Sequence, residues 1–131
     1  MNIPPEIYNF IANEESFPDQ AIIFEEGGHG KWSYLILEGK VKVKKNTPKG
    51  QATIFTLGQG EIIGEVGLLG QGSLGRKTSA VADGSVVLGL LDTDGIIEKF
   101  NLLSPQLRKV LSALAKRFED AVDKVSATLA E

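Results

Sequence analysis

Cysteine is absent from the 131 residues, which excludes disulfide scaffolds, thiolate metal sites and thiol catalysis, and argues against a stapled secreted domain. Histidine occurs once, as His29. One imidazole cannot build a two- or three-histidine metal centre, so a metal would have to rest on carboxylates. A basic excess is also missing: 14 Lys plus Arg face 17 Asp plus Glu, for a formal charge of −3, with a pI near 5.2. Nucleic-acid binders normally carry the opposite footprint, so no direct nucleic-acid contact is expected. No apolar run approaches the ~20 residues needed to cross a bilayer, and no basic stretch precedes an apolar one at the N-terminus. These absences lead us to expect a soluble, cytoplasmic protein that has no membrane partner, no metal and no catalytic cofactor.

What remains is ordinary globular material, 42% apolar and 24% charged, of a length that fits one domain around one core. Residues 20–57 break into short apolar or alternating runs: Ala21 to Phe24, Tyr34 to Leu37, Lys40 to Lys44 and Thr53 to Leu57. Each is bounded by Gly, Pro, Asn or Asp and reads as a strand. Thr78 to Ala82 and Ser85 to Leu91 read as two more, with Asp83-Gly84 as a hairpin turn between them. Many short strands with regular turn spacing predict a β-sandwich, roll or barrel.

The ends differ from the middle. Pro4-Pro5 opens a stretch in which Ile7, Phe10 and Ile11 recur at helical spacing. From Asp94 to Leu102, Ile96, Ile97 and Phe100 share one side, joined by Leu103 a turn later, which predicts a second short helix. Ser104-Pro105 is an N-cap followed by proline at the first helical position, and no Gly or Pro interrupts residues 106–131. The long helix predicted there carries Leu107, Leu111, Leu114, Phe118, Ala121 and Val125 at alternating spacings of four and three, extending to Leu129. Such a seam packs either on the chain's own strands or on a second copy across 107–129; its length does not decide between them.

Glycine is enriched to 15 residues, and seven of them, from Gly58 to Gly75, crowd into 58–75. Clustered glycines let backbone amides approach a ligand, and successive amides in tight turns form an anion-binding nest. Arg76 beside them is planar, permanently charged and forked, suited to two phosphate oxygens at once. Glu65 is an acceptor of the kind that holds a sugar hydroxyl. Together these residues describe a site for a sugar phosphate.

Gly64-Glu65-Val66-Gly67-Leu68, a loop, then Arg76-Lys77-Thr78-Ser79 resembles the phosphate-binding cassette of the cyclic-nucleotide-binding domain, the β-roll module of the catabolite activator family and of protein kinase A regulatory subunits. Phe24-x-x-Gly27, Tyr34-x-Ile36-x-x-Gly39 with Val41 and Val43, and Gly58-x-Gly60-Glu61 resemble the family's approach to that cassette. Leu111 to Phe118 and Asp123 to Val125 resemble its long helix. The resemblance implies a mainly β fold with flanking helices, a double-stranded β-helix or jelly-roll-like β-roll. It would have an N-terminal helix over 4–14, the roll over 20–92 with the cassette at 64–79, a short helix over 93–103 and a C-terminal helix over 104–131. It also implies a ligand site of Gly64, Glu65, Val66, Gly67, Arg76, Lys77 and Thr78. There Glu65 would accept the ribose 2′-hydroxyl, Arg76 would pair with the cyclic phosphate, and the amides of Gly67 and Lys77 would complete the cradle. The ligand would be a cyclic nucleotide, cAMP favoured over cGMP.

Departures from the pattern bear on the base. Lys77 and Thr78 stand where many members carry Ser, Thr or Ala followed by Ala, and Ala121-Val122 falls where the catabolite activator has the hydroxyls that touch adenine. The loop between Glu65 and Arg76 is slightly longer than usual, and Gly28 replaces a common acidic residue. A cassette that has lost its ligand and serves as a dimerisation or docking module is therefore the competing expectation. So is a structural Glu65–Arg76 ion pair, although seven glycines without a ligand would cost conformational entropy for little return. Gly70-x4-Gly75-Arg76-Lys77-Thr78 approaches a P-loop but inserts one residue before the lysine and is followed by a strand-like run, not a helix. The metal-cupin site needs a histidine cluster that is absent here. Lys40, Lys42 and Lys44 read as the wet face of a strand, with Lys45 and Lys49 in the adjoining turn; His29 reads as a turn residue and Trp32 as partial core. With no helix-turn-helix, kinase or channel segment in the sequence, the chain is expected to be either a stand-alone sensor or a piece of a larger protein, its downstream partner unknown.

Overall fold

The computed structural model describes residues 5–28, 33–64 and 78–130, the last stretch without the side chains of 118, 119, 122, 123 and 125–130. A 3-10 turn, Pro5–Phe10, leads into strands β1 (Ile11–Phe17), β2 (Ile22–Phe24), β3 (Tyr34–Thr47), β4 (Gly50–Leu57), β5 (Ile62–Ile63) and β6 (Ser79–Leu91), then helices α1 (Thr93–Asn101) and α2 (Pro105–Ala130). The strands form one antiparallel sheet in the order β1-β6-β3-β4, with β2 also on β6 and β5 also on β3. This is the expected mainly β roll with flanking helices.

The two long central strands carry it. Alternate residues of a strand face opposite sides, and β3 uses both. Tyr34 and Ile36 enter the main core with Val41, Val43, Ile63, Ala80, Ala82, Val86 and Leu88, whereas Leu35 and Leu37 join Leu91 in a second cluster. Ile7, Phe10, Ile11, Val87 and Ile96 pack on that second cluster, so the N-terminal turn and α1 seal the outer face. On β3 the core positions change from even-numbered residues before Gly39 to odd-numbered ones after it. The register between β3 and β6 shifts at the same place, around Glu38↔Val87 and Lys40↔Asp83.

Gly39 and Gly84 lie at that bend with φ of +89° and +81°. The sequence reading split each long strand in two there, and a hairpin at Asp83-Gly84 does not form. Gly84 does take the positive φ an Asp-Gly turn supplies, but as a bulge inside a continuous β6, because both halves of β6 pair with β3 and not with each other. The expected helix over 4–14 is also corrected. Ile7, Phe10 and Ile11 are half-buried against the second cluster, yet helical backbone stops at Phe10 and Ile11–Phe17 pairs as an edge strand with β6. The roll therefore begins nine residues earlier than the expected residue 20.

Asp19 holds the bend from outside. Its Oδ1 accepts the Gly84 N–H at 2.7 Å, and this bond, then one from the Gln20 side chain, lowers its pKa below the usual carboxylate value. A depressed carboxyl stabilises the fold above its unfolded pKa and loses that contribution as pH falls through the folded value. Urea unfolding of wild type and Asp19→Asn should thus differ more near about pH 7 than near about pH 3. A constant difference at both would show that the carboxylate's charge plays no part.

The two C-terminal helices begin at the caps the sequence supplies. Asp92 Oδ1 accepts the Gly95 N–H at 3.1 Å and Ser104 Oγ accepts the Leu107 N–H at 3.2 Å. α2 lies against β3 and β4. Its half-buried residues Arg108, Leu111, Ser112 and Ala115 recur at steps of three and four, whereas Leu107, Val110 and Leu114 stay exposed. The expected seam is therefore divided: Leu111 faces the roll, and Leu107 and Leu114 do not.

Candidate functional site

Of the seven residues expected to hold ligand, Gly64 and Thr78 are described; Glu65, Val66, Gly67, Arg76 and Lys77 lie outside the described residues, as do His29 and Trp32. What the structure supplies is the frame on either side of the cassette.

The approach runs along β3. A turn at Gly58–Glu61 is closed by the Glu61 carboxylate accepting the Gly58 N–H at 2.6 Å and by the Glu61 N–H donating to the Gly58 carbonyl at 3.1 Å. It is fastened to β3 by the Gly60 N–H on the Ile36 carbonyl, 2.8 Å, and the Ile36 N–H on the Glu61 carbonyl, 2.9 Å, with Gln59 Nε2 on the Leu37 carbonyl at 3.1 Å. The Gly58-x-Gly60-Glu61 motif is thus structural in its own right. β5 follows, Ile63 buried beside Tyr34. Gly64 then turns at φ +75°, and its carbonyl accepts the Ser33 hydroxyl at 2.6 Å.

On the far side, Thr78 is half-buried and Ser79 opens β6 opposite Lys44. Ser79 Oγ accepts the Glu26 N–H at 2.8 Å. The Glu26 carboxylate accepts the Asn46 N–H at 2.9 Å and pairs with Lys45 Nζ at 3.4 Å. Lys45 therefore sits in β3 as a largely buried ion-pair partner and not in a turn, while Lys40 is exposed and Lys42 and Lys44 half-buried. Ser79 and Glu26, with Ile22, Glu25, Asn46, Gln51 and Val81, line a half-open pocket of about 230 Å³. The cassette thus leaves the end of β5 beside Tyr34 of β3 and returns at the start of β6 beside Lys44, near the other end of β3.

Sequence reasoning missed Ser33, Glu26 and the anchoring role of Ser79. Nothing in their neighbourhoods signals a partner, because each bond joins residues 31 or 53 positions apart. Ala121, which falls in the expected adenine-facing pair, is exposed. Among the described residues no group of three or more His, Asp or Glu side chains is placed to hold a metal ion, and no helix is long and apolar enough to cross a membrane.

Residues 14–101 match the family model for the cyclic nucleotide-binding domain. The chain is 32% identical over 114 residues to the cyclic AMP receptor protein of Thermus thermophilus, covering 84% of this chain and 52% of that protein. It spans about half the length of the curated relatives it matches. Among solved structures, the EAL enzyme Bd1971 in its cAMP-bound form superposes with a TM-score of 0.74 at 26% identity, over 86% of this chain and 30% of that one. A cyclic nucleotide-binding domain from Methylobacillus flagellatus superposes at 0.62 with 30% identity, over 85% and 64%.

Proposed function

The chain belongs to the cyclic nucleotide-binding domain family, and from that premise we propose that it is a non-enzymatic, cytoplasmic receiver for a cyclic nucleotide, cAMP favoured over cGMP. The observation that carries this reading is the cassette order, Gly64-Glu65-Val66-Gly67-Leu68 and then Arg76-Lys77-Thr78-Ser79, set in a roll that hydrogen-bonds both of its ends. Glu65 takes the ribose 2′-hydroxyl and Arg76 the cyclic phosphate, with amides of Gly67 and Lys77 beside it and Gly64, Val66 and Thr78 shaping the wall. The cAMP preference leans on the relative named as a cyclic AMP receptor. The enzyme that shares the fold has been solved with either cAMP or cGMP, so both belong in the test.

Output runs through the C-terminal helices in this reading. α1 is tied to the roll by the Asp92 N–H on the Phe10 carbonyl at 2.6 Å and by Ile96 in the second cluster. A ligand that binds one arrangement of α1 and α2 more tightly shifts the population toward it. The exposed stripe Leu107, Val110 and Leu114 favours a homodimer through 107–129 as the surface that reads the shift.

Thermal unfolding with excess cAMP, cGMP or 5′-AMP tests the receiver. At about 100 times the dissociation constant, a ligand selective for the folded state adds roughly 2.7 kcal/mol, a melting rise on the order of 10 °C. We expect that rise with cAMP, a smaller one with cGMP and none with 5′-AMP. No rise with any of them transfers the reading to a docking module. Light scattering on the same samples reports the dimer, and a monomer with and without ligand removes it.

A further inference from the structure

Among the described residues two polar side chains are buried, Ser33 at 0% exposure and Ser79 at 5%, and their positions are related. Ser33 Oγ donates to the carbonyl of Gly64, the first residue of the cassette. Ser79 Oγ accepts from the Glu26 N–H, immediately beyond Thr78. The partners coincide as well, since Glu26 and Ser33 stand at the two ends of the connection between β2 and β3. Two buried hydroxyls thus join the ends of one connection to the ends of the other. The Ser79 end is carried further by Glu26, whose carboxylate engages Asn46 and Lys45 near the far end of β3.

We propose that Ser33 and Ser79 are positioning residues for the ligand site, hydroxyl pins that fix where the 64–79 segment leaves and rejoins the roll. The proposal rests on the cyclic-nucleotide reading. Neither pin needs to touch ligand. Binding that requires groups on both arms of a segment is strongest when the arms are already held at the right separation, because the ordering cost is then met before the ligand arrives. Alanine at either position leaves a part-buried Gly64 carbonyl or Glu26 amide without its side-chain partner. Threonine at 79 keeps the hydroxyl.

The test is titration calorimetry of the full chain with cAMP, together with hydrogen exchange of the 64–79 amides in ligand-free protein. The variants are Ser33→Ala, Ser79→Ala, Ser79→Thr and, as a control that loosens the roll at the Gly84 bend, Asp19→Asn. The expected result is that each alanine weakens binding roughly 3- to 10-fold and speeds exchange across 64–79. Ser79→Thr should recover much of both, and Asp19→Asn should change neither. Alanine variants that bind and exchange like wild type overturn the pins. Wild type that binds no cyclic nucleotide overturns the ligand reading instead. The pins are then judged on exchange alone, where faster exchange in the alanine variants supports them and unchanged exchange refutes them. An alanine variant that fails to fold is replaced by Ser79→Thr and Ser33→Thr, whose wild-type exchange, against faster exchange in Ser79→Val, supports the hydroxyl's role; equal exchange in all three overturns it.

Discussion

Arg76→Ala is expected to weaken cyclic-nucleotide binding by roughly 10- to 150-fold while leaving the fold intact. The size follows from one charge-assisted hydrogen-bonding group, about 1.5–3 kcal/mol, at about 1.4 kcal/mol per decade of affinity. The group is charged and forked, so the substitution series has a shape as well as a size. Arg76→Lys keeps the charge but not the planar pair of donors, and falls between wild type and alanine. Phosphate recognition by a cation also has a salt signature. The gap between wild type and Arg76→Ala narrows as ionic strength rises, because screening weakens what the guanidinium contributes. Titration calorimetry with cAMP at low and high salt measures all of this. An Arg76→Ala protein that binds like wild type would mean that the phosphate is held by amides alone or that the ligand is not a phosphate. Glu65→Gln supplies the second coordinate: it should weaken a ribonucleotide but leave a 2′-deoxy analogue unchanged, since that analogue has no hydroxyl to lose.

Much of this frame was readable without coordinates because its determinants are local. Ser104 caps α2 within one turn of itself, and Ile96, Ile97 and Phe100 recur at helical spacing in α1, so both helices could be placed from short windows of sequence. The cassette motif is likewise confined to 64–79. The errors fall where partners are distant. β1 hides its strand character behind Asn13-Glu14-Glu15-Ser16, a polar run that becomes a strand only because β6 lies beside it. Ile7, Phe10 and Ile11 all pack on the second cluster, but helical spacing over five residues cannot distinguish a long helix from a single 3-10 turn that hands over to a strand. On α2 the apolar positions were all visible, yet the choice of Leu111 as the inward residue and Leu107 and Leu114 as outward ones is made by β3 and β4. The pins at Ser33 and Ser79 belong to the same class, being ordinary serines until a residue 31 or 53 positions away arrives.

The second large effect concerns the bend that closes the roll. Gly39→Ala should cost about 3 kcal/mol, a fall in melting temperature on the order of 10 °C for a domain of this size. Two separate penalties contribute. At φ +89° any L-residue gives up roughly 1–2 kcal/mol of conformational energy. A Cβ at Gly39 would also run into the Ser85 carbonyl oxygen and lie 3.2 Å from both Cα and Cγ2 of Val86. Those atoms belong to β6, the strand paired across the bend, and cannot retreat without spoiling the register on either side; forcing such contact costs typically 1–3 kcal/mol. Against this, alanine restricts the unfolded chain and returns about 0.4–1 kcal/mol. Gly84 separates the two penalties, since its φ of +81° is similar but an added Cβ there meets nothing within 4 Å. Gly84→Ala should therefore lose only about 1 kcal/mol. Urea unfolding of both variants, with unchanged denaturant slopes, makes the comparison. Equal losses would show that β6 yields to the methyl group, and that the close crossing of β3 and β6 is not what fixes the bend. A much larger loss in Gly39→Ala, accompanied by a weaker response to cAMP, would tie the bend to the ligand site, because β3 pairs with both β5 and Ser79 on opposite sides of it.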